Sequence, residues 1–208
     1  MIGLLPKSLV IDGIEYDIDS DYRTALLIMQ MYNDRALSVL NAQMTMLNIL
    51  FTTIPEGESE PVTIIPENIS EAIKQAMWFL NIGDNDDNNG NVKSIKRTID
   101  YKKDEQLLFS AVNAVYTKDV RSERYMHWWT FYGLCQAIDG ESLISYIISI
   151  RNKLFYGKKL EKHERDFYKQ NKNLIIIKGE DTEESIDDII MTLRSNKSRE
   201  IDTCNNIS

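Results

Sequence analysis

General acid–base chemistry in this chain would have to begin with its two histidines, His127 and His163, the side chains whose ordinary pKa lies nearest neutrality. His127 stands before Trp128-Trp129, with Asp119 and Glu123 upstream as acids able to orient it as a general base. Nothing beside it reads as a nucleophile or an oxyanion hole, and a site needs several converging groups. A structural or surface histidine is therefore the expectation, and a hydrolase or nuclease centred on His127 is the weakest function class. His163 sits in a highly charged stretch. The sequence holds no HExxH, CxxC, GxSxG, P-loop or dinucleotide fingerprint. Zinc would need more Cys and His at short spacing. The paired carboxylates Asp86-Asp87 and Asp187-Asp188 read as solvated charge. An EF-hand alignment starting at Asn85 fails at its twelfth position, Lys96, where a bidentate carboxylate belongs. The expectation is a protein without an enzymatic site, metal or cofactor.

The elements that would position such residues are mostly helices. Residues 8–18 read SLVIDGIEYDI, and Asp12-Gly13 is the dipeptide that a two-residue hairpin turn requires. Ser20 or Asp21 can cap a helix from about Tyr22, and a second helix is predicted over Ala36 to Thr53. Pro55, Gly57, Pro61 and Pro66 then mark a loop. A third helix, from about Glu67 to Ile82, has the stripe Ile69, Ile73, Met77 and Leu80. Residues 83–98 form a polar linker. Further helices are predicted over Asp104 to Tyr116, from a Ser122 cap through Ala137, over Glu141 to Lys153, and over Glu161 to Asn171. The fold class is mainly α, an N-terminal β-hairpin followed by a multi-helix bundle. It occupies residues 1–178 as one helical domain. Residues 179–208 read as an acidic tail in which Ile186, Ile189, Ile190 and Leu193 recur at helical spacing before a disordered end.

Composition narrows the function classes. Of the 208 residues, 43% are apolar and 27% charged, enough for a folded core. The net charge of −8 argues against general nucleic-acid binding, which needs a positive field. The Lys- and Arg-rich stretch from Lys153 to Lys172 is interleaved with Glu161, Glu164 and Asp166, and reads as a solvated face. Cys135 in an apolar stretch and Cys204 in a polar one are poor disulfide partners, so a reducing compartment is expected. No signal peptide is visible in the opening residues.

Two stretches could bind a partner. Ala36 to Ile54 contains no charged residue, and Leu37, Leu40, Met44, Leu47 and Phe51 form a stripe that Val39, Met46, Ile49 and Leu50 widen. Seven of these nineteen positions are polar, too many for a membrane span. An ordinary surface helix carries Lys or Glu on its outer face. Charge depletion predicts a helix covered on both faces, one by the body and one by another chain; a fully buried central helix is the alternative. Met29, Met31, Met44 and Met46, half of the eight methionines, cluster here, and flexible thioethers suit adaptable binding surfaces. The second stretch is the aromatic run around Trp128, Trp129 and Tyr132. It reads as a thick core helix or, with one edge exposed, as a partner anchor. The binding candidates are thus Met29, Met31, Leu37, Leu40, Met44, Met46, Leu47, Leu50, Phe51, Trp128, Trp129 and Tyr132.

Four segments together carry a resemblance: LPKSLVIDGIEYDIDSDYRTAL, IDYKKDEQLLFSAVNAVY, MHWWTFYGLCQAI and GKKLEKHERDFYKQNK. In this order and spacing, over residues 4–175, the chain resembles the bacteriophage gene-product-fifteen family. The asparagine-rich linker and the residues beyond Lys178 have no counterpart in that pattern. The resemblance implies a tail-assembly chaperone encoded beside the tape-measure protein, holding its long helices soluble in the host cytoplasm until tube subunits polymerise. It supplies no catalytic residues. The expected partners are the tape-measure protein or other tail proteins, with homo-oligomers a further option and neither nucleic acid nor membrane involved. The alternative is a minor tail or connector component retained in the virion.

Overall fold

A computed structural model describes residues 3–33, 37–54, 60–84 and 98–177. The chain opens with an antiparallel hairpin, β1 (Ser8–Ile11) and β2 (Ile14–Asp17), in the register Ile11 to Ile14. Asp12 at φ 52° and Gly13 at φ 81° make the two-residue turn the primed type, whose twist matches that of the strands. Leu9 and Ile11 point inward and are buried, while Val10 faces solvent. The turn also holds the next layer. The Asp12 carboxylate accepts from the Asn68 side-chain amide at 2.9 Å. Asn68 Oδ1 in turn accepts from the Glu71 amide, capping helix α3 (Ile69–Leu80). A β-carbon at Gly13 would meet open space, so Gly13→Val tests the backbone alone. It is expected to destabilise by about 1 kcal/mol or more, read from the urea midpoint. An unchanged midpoint would refute the requirement for positive φ.

Helix α1 (Tyr22–Tyr32) is capped by Asp21, whose carboxylate accepts from the Arg23 amide at 2.9 Å. Helix α2 (Val39–Leu50) is shorter at both ends than its uncharged stretch predicts. Ser38 caps it, and Phe51 leaves the helical path so that β3 (Thr52–Thr53) can pair with β4 (Val62–Thr63). Helix α3 also differs from expectation. Its buried residues are Ala72, Ala76, Phe79 and Leu80, whereas Ile69, Ile73 and Met77 are only half-buried. The two alanines put little bulk where α3 lies against α2 and β1.

Helix α4 (Glu105–Tyr116) leads into a 3₁₀ turn, Val120–Ser122. Ser122 does not cap a helix: its hydroxyl donates back to the Asp119 carbonyl at 2.7 Å. The chain runs extended from there, and α5 (Trp128–Gln136) begins five residues later than predicted, capped by His127. The reason is tertiary. Tyr22 N–H donates to the Met126 carbonyl and Trp128 N–H to the Ser20 carbonyl, at 2.9 and 2.8 Å. This bridge between Asp21 and His127 holds His127 extended and sets the entry to both helices side by side.

The chain divides into two compact units, 1–144 and 145–208, and the boundary falls in the first turn of α6 (Leu143–Phe155). In the second unit, α7 (Lys162–Gln170) opens with a reciprocal capping box between Glu161 and Glu164, and α8 (Lys172–Ile175) follows. Ile147, Ile150, Leu160, Tyr168, Ile175 and Ile177 are buried. Arg151, itself buried, donates to the Ile175 and Leu174 carbonyls at 2.9 and 2.6 Å, tying the end of α8 to α6. Lys153 Nζ lies 2.6 Å from the carboxylate of buried Glu164. Burial opposes ionisation of Glu164, but Lys153 and the Glu161 amide outweigh it and hold its carboxyl below the usual range. The Asn85 loop, most of the polar linker and the Ile186 to Leu193 periodicity lie outside the described residues.

Candidate interaction surface

The uncharged helix α2 is neither fully buried nor fully covered. Met46, Leu47 and Leu50 are 0% exposed, and Phe51, just past its end, is 1% exposed. These four belong to the chain's own interior, so they are corrected from binding candidates to core residues. The opposite face of α2 is open. Asn41 and Asn48 are exposed, Met44 and Thr45 half-buried beside them, and Leu40 and Val39 are each 64% exposed at the N-terminal end. Leu37, Met29 and Met31 are half-buried. The fully buried alternative therefore fails. What remains is an outward face bearing amide, hydroxyl and apolar side chains and no charge. On this face the amide of Asn48 donates to the Met44 carbonyl one turn back at 2.8 Å.

The aromatic run has a different role. Trp128 is buried and donates its indole N–H to the Leu80 carbonyl at 3.0 Å. Trp129, half-buried, donates to the Phe79 carbonyl at 2.8 Å. A helix leaves its last carbonyls without intrahelical partners; at the end of α3 the Trp128 indole serves that of Leu80, and the Trp129 indole shares that of Phe79 with the Ile82 N–H. Trp129 also meets Trp78 edge-on at 5.5 Å between ring centres, and Gly83 (φ 81°) passes beneath it; a β-carbon there would come 3.1 Å from the indole. On the inner side Phe131 stacks on Tyr22 at 4.4 Å and 9° between planes. Trp128 and Trp129 are thus an internal joint, and Tyr132, at 37% exposure, is the most exposed of the aromatic candidates.

His127 completes the joint. Its side chain is buried, with Nε2 2.8 Å from the Pro6 carbonyl and Nδ1 accepting from the Trp129 amide at 3.1 Å. That pairing fixes the neutral tautomer with the proton on Nε2. Both ring nitrogens are occupied by backbone, which leaves no lone pair for a substrate. Neither acid upstream reaches it: Asp119 holds Arg121 and Asn113, and Glu123 accepts from the Tyr116 hydroxyl. Burial lowers the His127 pKa; the Pro6 bond opposes this, and Lys7 adds to it. Burial also pushes the Cys135 thiol up to about 12, so it is protonated and a poor nucleophile. Among the described residues no group of three or more His, Cys, Asp or Glu could hold a metal ion, and no helix is long and apolar enough to cross a membrane.

The structural class is thus a mainly helical protein with an N-terminal hairpin, whose distinctive surface is an uncharged helical face. The model of the Bacteriophage Gp15 protein family matches residues 1–176, and the chain belongs to that family. It is a bacteriophage protein of the structural or assembly-related kind. No curated protein and no solved structure matches it.

Proposed function

We propose that this family member is a non-enzymatic tail-assembly chaperone, and that the open face of α2 binds the tape-measure protein in the host cytoplasm. The observation that carries the reading is the exposed, charge-free face of α2 around Leu40, Asn41, Met44 and Asn48. A solvent-facing helix ordinarily carries charges, because they stay hydrated there and keep the protein soluble. Their absence spares a partner the cost of desolvating them. Half-buried methionines beside the face suit a long helical client of variable surface. The proposed role is to cover that client until tube subunits do so.

Asn41→Lys and Asn48→Lys are the test, since both positions are exposed and a lysine head can stay in water. Each is expected to leave the unfolding midpoint within about 0.5 kcal/mol of the parent. Each should weaken capture of co-expressed tape-measure protein by about tenfold or more, as a desolvated or displaced lysine costs over about 1.4 kcal/mol. Undiminished capture by both variants would remove α2 from the interface. Quantifying the chain in purified particles tests the assignment as a chaperone: absence is expected, and a fixed copy number would assign it to the virion instead.

A further inference from the structure

The second unit carries, over its described residues, charge opposite to that of the chain as a whole. Residues 145–177 hold eight Lys and Arg against three Asp and Glu. Two of those cations are engaged internally, Arg151 with the α8 carbonyls and Lys153 with Glu164. Lys158 and Lys159 are exposed, and they follow an aromatic pair that is also exposed, Phe155 at 51% and Tyr156 at 47%. The backbone fixes these four together. Gly157 at φ 61° ends α6, with the Lys158 amide donating to the Lys153 carbonyl at 2.7 Å and the Gly157 amide to the Leu154 carbonyl at 3.0 Å. The two rings meet edge-on at 5.4 Å, and the Lys158 ammonium lies 5.8 Å from the centre of the Tyr156 ring. The result is an exposed aromatic pair with the Lys158 ammonium beside it and Lys159 next in the chain, on an otherwise acidic protein.

The same chain carries the complement. Residues 179–188 read GEDTEESIDD, with six carboxylates and no cation, and Ile186, Ile189 and Ile190 lie within the run or directly after it. Where the described chain ends also matters. Arg151 holds the Leu174 and Ile175 carbonyls against α6, one helical turn before Phe155. Only Lys178 and Gly179 separate Ile177 from Glu180, the first of the six carboxylates. At about 3.5 Å per residue, the nine residues from Glu180 to Asp188 can span up to about 30 Å. Tethering by so short a link gives an effective concentration in the millimolar range, so even a weak contact is populated.

We infer that the acidic segment Glu180–Asp188 docks in cis on the patch formed by Phe155, Tyr156, Lys158 and Lys159. Its carboxylates meet the two lysines, and its isoleucine with the two that follow covers the rings. This inference is independent of the proposed chaperone role and concerns a different surface.

Zero-length carbodiimide cross-linking of the full chain tests it, at concentrations low enough to disfavour contacts between copies. The expected product joins Lys158 or Lys159 to a carboxylate within 180–188, in a monomer. Its yield should fall several-fold in about 1 M salt, where screening lengths shrink to about 3 Å. K158E/K159E should abolish it, and adding E183K/E184K should restore a cross-link with the charges exchanged. Both lysines are exposed, so the fold is not at risk. Even cross-linking to lysines throughout the chain, products only between copies, or failure of the exchanged pair would each overturn the inference. So would duplex DNA binding through Lys158 and Lys159 that is unaffected by E183K/E184K, since the patch would then serve an external polyanion.

Discussion

Trp128→Ala is expected to destabilise the first unit by about 3–5 kcal/mol, the range for emptying a buried tryptophan site. The indole is 4% exposed; between ring centres it lies 6.2 Å from Phe131 and meets Tyr132 edge-on at 5.6 Å. Truncation removes that packing and also frees the Leu80 carbonyl at the end of α3, whose bond to the indole N–H is 3.0 Å long. Small domains are stable by only about 5–15 kcal/mol, so a large share of the total is at stake. Trp128→Phe separates the two contributions, because it keeps most of the ring while losing the N–H. Its expected cost is about 1–3 kcal/mol, the penalty for leaving a buried acceptor unpaired. Urea unfolding followed by circular dichroism reads both. A cost below about 1 kcal/mol for Trp128→Ala would mean that the joint can collapse around the void, contrary to the packing of interiors.

His127→Leu is expected to cost about 2–4 kcal/mol, the sum of two losses less an apolar gain. Losing the Nδ1 cap on the Trp129 amide accounts for about 0.5–2 kcal/mol. The unpaired Pro6 carbonyl adds about 1–3 kcal/mol, with the leucine's own burial offsetting part of the total. Asparagine is a good N-cap, so His127→Asn should recover the first contribution and not the second. The parent protein should also show a pH dependence that the leucine variant lacks. Burial depresses the folded pKa of His127 below its ordinary value near 6.5, so below that value the unfolded chain binds the extra proton. The stabilising contribution is therefore full above the unfolded pKa. It falls as pH drops from there towards the folded pKa, by at most about 1.4 kcal/mol per pH unit. Protonation also takes the Nδ1 lone pair that receives the Trp129 amide, so the cap and the neutral ring are lost together. Unfolding midpoints at successive pH values between about 7.5 and 5 span the titration of such a group. They are to be compared between parent and His127→Leu; parallel profiles would exclude His127 as the titrating group.

The joint also shows where the polar groups of a segment readable as a catalytic or partner-binding motif go in this fold. A histidine followed by two tryptophans offers one ring with two nitrogens and two indole donors. Here all four polar groups go to backbone: Pro6, the Trp129 amide, Leu80 and Phe79. Three parts of the chain that are distant in sequence are thereby fixed to one another. On the open face of α2, by contrast, Val39, Leu40, Asn41 and Asn48 are exposed, and this is the face proposed above for a partner.

Elements whose signals lie within a few residues were legible in the amino-acid sequence. The Asp12-Gly13 turn, the Asp21 cap of α1 and the charge depletion of α2 follow from local backbone preference, one side-chain acceptor and composition. The bacteriophage family was legible too, because four motifs in fixed order outweigh the weakness of each alone. Other features depended on groups far apart in the chain. Ser122 and His127 are both able to cap a helix, and the choice fell to His127 because Tyr22 and Trp128 bond across to Met126 and Ser20, over a hundred residues apart. In α3, periodicity alone favoured the bulky stripe of Ile69, Ile73 and Met77, but Ala72 and Ala76 turn inward where α2 and β1 lie close. Likewise α2 carries one apolar band in sequence, which the fold divides into buried Met46, Leu47 and Leu50 and exposed Val39 and Leu40. Periodicity states which residues share a face; only packing against the rest of the chain decides how far along the helix that face is covered.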